Sequence, residues 1–194
     1  MIPPVQAAPR SRNAAATRQA ILASARRHFA RESYEHVGLR EIAGDAGVDP
    51  ALVSRYFGSK EALFKEAVRD DDDDFLEGVE RDQLPAHFAA LLMDKHGSDP
   101  AEIDDKTEQL LIVLRSASSP KASQILREVI DEDILGPAAA LIGGKDAEMR
   151  VTLCLALLMG SSILRSAMQL DPICSADPGE LERRLVTLFE TALA

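Results

Sequence analysis

The segment VGLREIAGDAGVDPALVSRYFGSKEALF, residues 37–64, contains start and stop signals of short helices that follow one another closely. Its first part, LREIAGDA, places apolar residues on one face at helical spacing, which predicts a helix of two turns. Gly47 suits the end of that helix, and Asp49 followed by Pro50 is a typical start of the next one. One helix therefore ends and another begins within three residues.

The second helix of this pair, PALVSRYF, predicts an inner and an outer side. Val53 and Phe57 lie one turn apart on the inner side, whereas Ser54 and Arg55 face outward. Two short helices joined by a tight glycine-containing turn match a helix-turn-helix, whose second helix lies in the major groove of DNA. A plain helical hairpin in a bundle satisfies the same spacing and remains the alternative at this point.

Charge is divided unevenly along the chain. The net charge is -10, but residues 1–65 carry ten Lys/Arg against six Asp/Glu, and residues 66–194 carry twelve against twenty-six. A basic N-terminal third on an acidic body would attract a polyanion and orient it. Scarce aromatic residues and abundant Ala and Leu favour packed helices over a sheet.

The whole stretch resembles the DNA-binding signature of the TetR (tetracycline-repressor-like) family of bacterial regulators. The resemblance spans most of residues 14–68, and the residues that carry it are Arg18, Ile21, Ala25, Phe29, Ile42-Ala43, Ala46-Gly47-Val48, Tyr56-Phe57 and Ser59-Lys60-Glu61-Ala62-Leu63. It implies an all-α fold, with an N-terminal three-helix helix-turn-helix DNA-binding domain and a larger helical C-terminal ligand-binding and dimerisation domain. We expect a disordered tail over 1–13, the DNA-binding domain over 14–65 and the second domain over 66–194.

The resemblance also implies which residues bind DNA. These are Arg40, Pro50, Ala51, Leu52, Ser54, Arg55, Tyr56 and Lys60. The chain departs from the family pattern at three positions: Gly38 replaces a capping Thr or Ser, Ser33 replaces a Gly, and Ser54 replaces a Tyr that often reaches a phosphate. We therefore expect Arg55 to supply more of the phosphate anchoring, or the operator to differ from that of typical members.

The C-terminal part predicts further helices. They run from about Leu84 to His96, Asp105 to Ala117, Pro120 to Ile142, Ala147 to Leu170 and Pro178 to Leu193. In the family, the last two helices pair with those of a second subunit, and apolar stripes are present here to do so. The predicted dimerisation residues are Leu153, Leu157, Leu181, Leu185, Leu188 and Phe189. The alternative is that both stripes face the core of one subunit.

The middle helices would enclose any effector pocket. The apolar residues available for it are Phe88, Leu91, Leu92, Met93, Leu110, Val113, Leu114, Ile125 and Ile130. An apolar cavity with few polar groups suits a small lipophilic ligand. An ordinary core requires the same residues, so the sequence assigns no ligand-binding residue.

Other kinds of site are not indicated. Asp70–Asp74 lacks the spaced ligands and turn glycine of a calcium loop, and the histidines have no metal-binding spacing, so we expect no metal and no cofactor. The apolar stretch Val151–Leu164 is shorter than the ~20 residues of a membrane span. No secretory signal or enzyme motif is present, and Cys154 and Cys174 read as reduced thiols, which favours a cytoplasmic, non-enzymatic protein.

These observations predict a homodimeric transcription regulator. We expect a repressor that binds a palindromic operator in double-stranded DNA and is released by a small-molecule effector. The alternative is a helical adaptor that no longer binds DNA.

Overall fold

The computed structural model describes residues 10–69, 76–93 and 105–194. In the first range the side chains are described from residue 14, and in the last range from residue 107. Every regular element among these residues is helical, which confirms the predicted all-α class. The α-helices are α1 Arg10–Arg31, α2 Leu39–Asp45, α3 Pro50–Phe57, α4 Lys60–Val68, α5 Leu84–Met93, α6 Asp105–Ser116, α7 Pro120–Ile130, α8 Gly136–Ile142, α9 Ala147–Ser162, α10 Asp171–Cys174 and α11 Pro178–Leu193. Two π-helical segments, π1 Asp131–Leu135 and π2 Ile163–Ala167, follow α7 and α9, and a 3-10 turn, Arg81–Gln83, precedes α5.

Side-chain caps fix where several helices begin. The side chains of Asp49, Ser119 and Asp177 each accept a hydrogen bond from a first-turn backbone N–H, at 2.8, 3.1 and 2.9 Å. A proline follows each cap at the first helical position, where its missing N–H has no partner to lose. The predicted starts of α3, α7 and α11 are therefore confirmed.

The long predicted helix Pro120–Ile142 is interrupted by π1. Pro137 has no N–H, and its ring would meet the carbonyl four residues earlier in a regular α-helix. The chain instead bonds the Gly136 N–H to the Asp131 carbonyl, one residue further back than in an α-helix. The first helix also begins at Arg10 rather than at about Ala14.

The described residues form two buried apolar clusters. The first joins α1–α4 to α6 and α7, and at its centre Phe64 contacts Phe29 and Tyr34 with ring centroids 4.9 and 5.0 Å apart. The second joins α5, α8, α9 and α11, where Phe88 contacts Phe189 at 5.5 Å. The DNA-binding helices thus share a cluster with α6 and α7, whereas α5, α8, α9 and α11 pack in the other one.

A continuous helix, α9 with π2, spans the 21 residues 147–167, with a mean hydropathy of 1.5 and only 11% of its most apolar window buried. This helix is long and apolar enough to cross a membrane, whereas the apolar run Val151–Leu164 alone is too short to do so. Its two arginines tie it to the rest of the chain instead. Arg150 donates to backbone carbonyls, including that of Leu193 at 2.8 Å, and Arg165 donates to the C-terminal end of α5. We interpret its exposed apolar face as a surface for protein contact.

Both cysteines are free thiols. Burial raises the pKa of Cys154 to about 11, whereas Cys174 is exposed at the end of α10. No cluster of three or more His, Cys, Asp or Glu suited to a metal ion occurs within the described ranges. The run Asp70–Asp74 and the predicted helix end at His96 lie outside the described residues.

Candidate DNA interface and ligand cavity

The turn between α2 and α3 depends on one glycine. Gly47 has φ +67°, a left-handed conformation that L-residues adopt at a cost of about 1 kcal/mol or more. The turn is closed by the N–H of Val48, which donates to the Ala43 carbonyl at 2.9 Å, and Asp49 caps α3 directly afterwards. This geometry is the tight helix-turn-helix connection that Gly47 predicted.

Helix α3 has a buried side and an exposed side. Val53 and Phe57 are 1% and 6% exposed. The other predicted contact residues of α3 are on its outer side or its edges: Pro50, Ala51, Ser54 and Arg55 are exposed, and Leu52 and Tyr56 are half-buried. Short side chains on the exposed side permit close approach to base edges.

Two arginines on this surface are available to an external anion. Arg40, on α2, and Arg55, on α3, are both exposed. Across the described ranges neither has an ion-pair partner, in contrast to Arg18 and Arg27 of α1. Such unpaired guanidinium groups can donate charge-assisted hydrogen bonds to phosphate groups.

Helix α1 holds α2 and α3 in place through contacts that the sequence did not predict. The hydroxyl of Ser24 lies 2.8 Å from the Asp45 carboxylate, which also accepts from Arg27 at 2.6 Å. Hydrogen bonds from Arg27 and then Ser24 hold the pKa of Asp45 below its usual value. The guanidinium of Arg18 lies over the Phe57 ring, 4.8 Å from its centroid. These partners are far apart in sequence, so no local pattern indicates them.

Lys60 is engaged inside the protein rather than free at its surface. Its ammonium lies 4.6 Å from the centroid of the Tyr34 ring, and desolvation lowers its pKa. Burial, followed by nearby Glu61, raises the pKa of Tyr34 to about 12. A phosphate contact by Lys60 stays a prediction, and it requires the side chain to leave this ring.

Local contacts accommodate two departures from the family pattern. At Gly38, which has no capping side chain, the backbone N–H donates to the Glu41 carboxylate at 3.0 Å. Ser33 contacts His36 Nδ1 at 2.8 Å, and it is not among the positive-φ residues, so this position does not require glycine. Both departures therefore leave α1 and α2 intact.

The C-terminal end of α4 is tied to π1 by ion pairs. Arg69 donates to Asp133 at 2.8 and 3.2 Å and to Glu132 at 2.6 Å, and Lys65 lies 3.0 Å from Glu132. The hydrogen bond from Lys65 holds the pKa of Glu132 below its usual value. On the other side, Arg26 of α1 donates to the Arg69 carbonyl at 3.0 Å. No local sequence pattern indicates this network, because α4 and π1 are more than sixty residues apart.

A cavity of about 480 Å³ lies directly beside this network. Val68 of α4 and Arg69, which follows it, contribute to its wall, and α5–α9 with both π segments supply the rest, mostly with apolar side chains. Five of the apolar residues that the sequence made available to a pocket or a core line it: Leu91, Leu92, Leu110, Val113 and Ile130. The others do not: Phe88 and Ile125 are buried in the two clusters, Met93 packs against the second cluster, and Leu114 is exposed.

The predicted dimerisation residues separate into two groups. Leu153 and Leu188 are each 49% exposed, although both are large and apolar. Leu185 and Phe189 are buried at 5% and 0%, so their assignment to the dimer surface is corrected: they belong to the core of the subunit. Leu157 and Leu181 are half-buried against that core.

Comparison with known families agrees with this geometry. A model described as "Bacterial regulatory proteins, tetR family" matches residues 21–67. A second, "Tetracyclin repressor-like, C-terminal domain", matches residues 82–193, which is more than half of the chain. The chain belongs to the TetR family. It is a DNA-binding transcriptional regulator, and regulators of the TetR family are generally non-enzymatic.

Solved structures share the fold of this TetR-family chain. NalD, the secondary repressor of the MexAB-OprM multidrug efflux pump in Pseudomonas aeruginosa, has 20% identity and a TM-score of 0.67 over 93% of this chain and 96% of its own. GusR from Salmonella enterica has 21% identity and a TM-score of 0.61 over 90% and 95%. A transcriptional regulator from Rhodococcus sp. Rha1 has 25% identity and a TM-score of 0.58 over 91% and 95%. No match is found among curated proteins.

Proposed function

We propose that this TetR-family regulator is a homodimeric repressor that leaves its operator when a small, mainly apolar molecule enters the 480 Å³ cavity. One observation carries the proposal: α4 follows the recognition helix directly, and its last residue, Val68, forms part of the cavity wall together with Arg69, which follows it. A ligand in the cavity therefore touches the helix that supports α3. We also propose a cytoplasmic location, where the protein meets DNA.

DNA binding is assigned to the exposed side of α3 together with Arg40 of α2. Arg40 and Arg55 would contact phosphates, and the small side chains of Ala51 and Ser54 would lie against base edges. One recognition helix reads only a few base pairs, so operator-level affinity requires two copies related by a dyad. We therefore propose an inverted repeat as the operator.

Selection of bound fragments from the organism's own DNA tests the regulator directly. An inverted repeat among the selected fragments supports the proposal, whereas no enrichment of any sequence would favour the alternative, a helical adaptor. On the selected site, Arg40→Ala and Arg55→Ala should each make the salt dependence shallower by roughly one phosphate contact. Arg115→Ala is the matched control, because Arg115 is exposed on α6, outside both the proposed DNA interface and the predicted dimerisation helices. Unchanged salt slopes in both test variants would contradict the assignment.

Release by a ligand requires that it bind the DNA-incompetent state better than the DNA-bound state. A useful coupling is about 1–3 kcal/mol. Ligands found by thermal-shift screening should therefore weaken operator binding about fivefold or more. A ligand that fills the cavity and leaves operator affinity unaltered would contradict this mechanism.

A further inference from the structure

The charges around the cavity are unbalanced. Among the residues that the structure describes, three ionisable side chains line it, Arg69, Glu132 and Asp133, which give this part of the wall one positive and two negative groups. Lys65 pairs with Glu132 from outside the wall, and Glu128 lies 3.9 Å from Lys65, which balances it. These five side chains together therefore retain an excess of one negative charge beside a mostly apolar space.

The ion pairs at this wall are open to exchange. The side chains of Arg69, Glu132 and Asp133 are 34%, 51% and 41% exposed. Pairs with this degree of exposure contribute little to stability, since water screens them. A second cation can therefore compete with Arg69 for the two carboxylates.

We propose that the cavity takes a lipophilic cation, an apolar body with one amine or quaternary ammonium group whose charge lies against Glu132 and Asp133 in place of the Arg69 guanidinium. The proposal rests on the proposed function, because it names the effector class of the same cavity. An anionic ligand would face two carboxylates while the nearby guanidinium is already paired. A neutral ligand would fill the apolar space and leave the excess negative charge uncompensated.

The same exchange explains how such a ligand would act on DNA binding. Arg69 follows α4 directly and ties it to π1 by three hydrogen bonds. A cation that takes over the two carboxylates removes these three hydrogen bonds from that end of α4. The recognition helix α3 loses a fixed support as a result.

Three probes with one decyl chain test the charge preference: decyltrimethylammonium, decanol and decanesulfonate. Each is titrated into the full chain by calorimetry below its aggregation concentration, and operator binding is measured in parallel. We expect the cation to bind about fivefold more tightly than decanol, and the sulfonate to bind most weakly.

Variants of the wall should change this order in opposite directions. In the double variant Glu132→Gln, Asp133→Asn, the cation should lose its advantage and the sulfonate should gain, because Arg69 is left unpaired. Arg69→Gln should instead tighten cation binding, because the competing guanidinium is gone. Asp131→Asn is the matched control on π1, since Asp131 is exposed and does not line the cavity. If the wall residues only maintained the structure of the cavity, every wall variant would bind all three probes more weakly.

The outcomes separate the ligand class from the proposed repression. Equal binding of decanol and the cation, with operator release by both, would overturn the proposal and leave ligand-controlled repression standing. Absence of binding by all three probes would also overturn it. Tight, wall-dependent cation binding without any loss of operator affinity would support the ligand class and contradict the proposed release.

Discussion

Leu188 and Leu185 lie three residues apart on α11, yet substitution by glutamate should affect different properties of the protein. Leu188 is 49% exposed, so Leu188→Glu leaves the packing of the subunit almost unchanged, and its free energy of unfolding should stay within about 0.5 kcal/mol. Leu185 is 5% exposed in the second apolar cluster. Leu185→Glu would bury an unpaired carboxylate, so we expect this variant to unfold or aggregate.

The effect of Leu188→Glu on the dimer follows from the exposed half of the leucine. Burying that half in an interface contributes on the order of 1 kcal/mol per subunit, and two-fold symmetry makes it about 2 kcal/mol per dimer. Enclosing two carboxylates without partners adds at least about another 2 kcal/mol. The dimer dissociation constant should therefore rise about a thousandfold.

Light scattering at micromolar concentration measures the oligomeric state, and far-UV circular dichroism measures whether the helices remain. We expect Leu188→Glu, and likewise Leu153→Glu, to give folded monomers with severely weakened operator binding. Thr152 of α9 is a less suitable position for this test, because its hydroxyl donates to the Glu148 carbonyl and the substitution would also remove that hydrogen bond. A Leu188→Glu protein that stays dimeric with normal operator affinity would show that the interface lies elsewhere.

Three further perturbations test the DNA-binding helices. Gly47→Ala should lower the free energy of unfolding by about 1 kcal/mol, because φ is +67° there. Gly44→Ala should raise it slightly, because Gly44 is at a helical position with open space around it. Equal effects of the two substitutions in denaturant titrations would refute this difference. Asp49→Ala should destabilise the protein by about 1 kcal/mol, because the α3 cap is lost, whereas Asp49→Ser should keep the cap and the stability. An unchanged unfolding midpoint in both variants would exclude a capping role for Asp49. The hydrogen bond from Lys121 is the main cause that lowers the pKa of Glu61 from 4.5 to about 2. The stability that ionised Glu61 contributes is therefore present above pH 4.5 and lost as the pH falls towards 2. Glu61→Gln should remove this part of the acid dependence, and parallel stability profiles of the two proteins between pH 5 and 2 would contradict it.

The sequence predicts the helices well where the signal is local. Cap and proline pairs at Asp49, Ser119 and Asp177 are sufficient to start a helix, and the glycine at position 47 is sufficient to end one, because each acts through bonds within one turn. The π1 segment was missed although Pro137 gives a local reason for it. A proline inside an apolar helical pattern can end, kink or expand the helix, and only the packing of α7 and α8 selects among these outcomes.

The sides of the last helices illustrate what periodicity leaves open. It groups Leu185, Leu188 and Phe189 into one apolar stripe, and the structure divides that stripe between the core and the surface. The division depends on where α5 and α9 pack, which spacing within α11 does not encode. The same limit applies to Lys60, whose contact with Tyr34 comes from the tertiary arrangement of the α1–α2 connection and α4.

The apolar cluster shared by α1–α4, α6 and α7 also bears on how the protein can be rebuilt. Ile112, Ile125 and Leu126 complete the packing around the DNA-binding helices, although they lie well beyond residue 65. A chimeric biosensor joined at that point would receive α6 and α7 evolved for another partner, and cavities or clashes would follow. Exchange of sensing modules would succeed only if these two helices are kept with the DNA-binding part, or if their inward-facing residues are redesigned together with it.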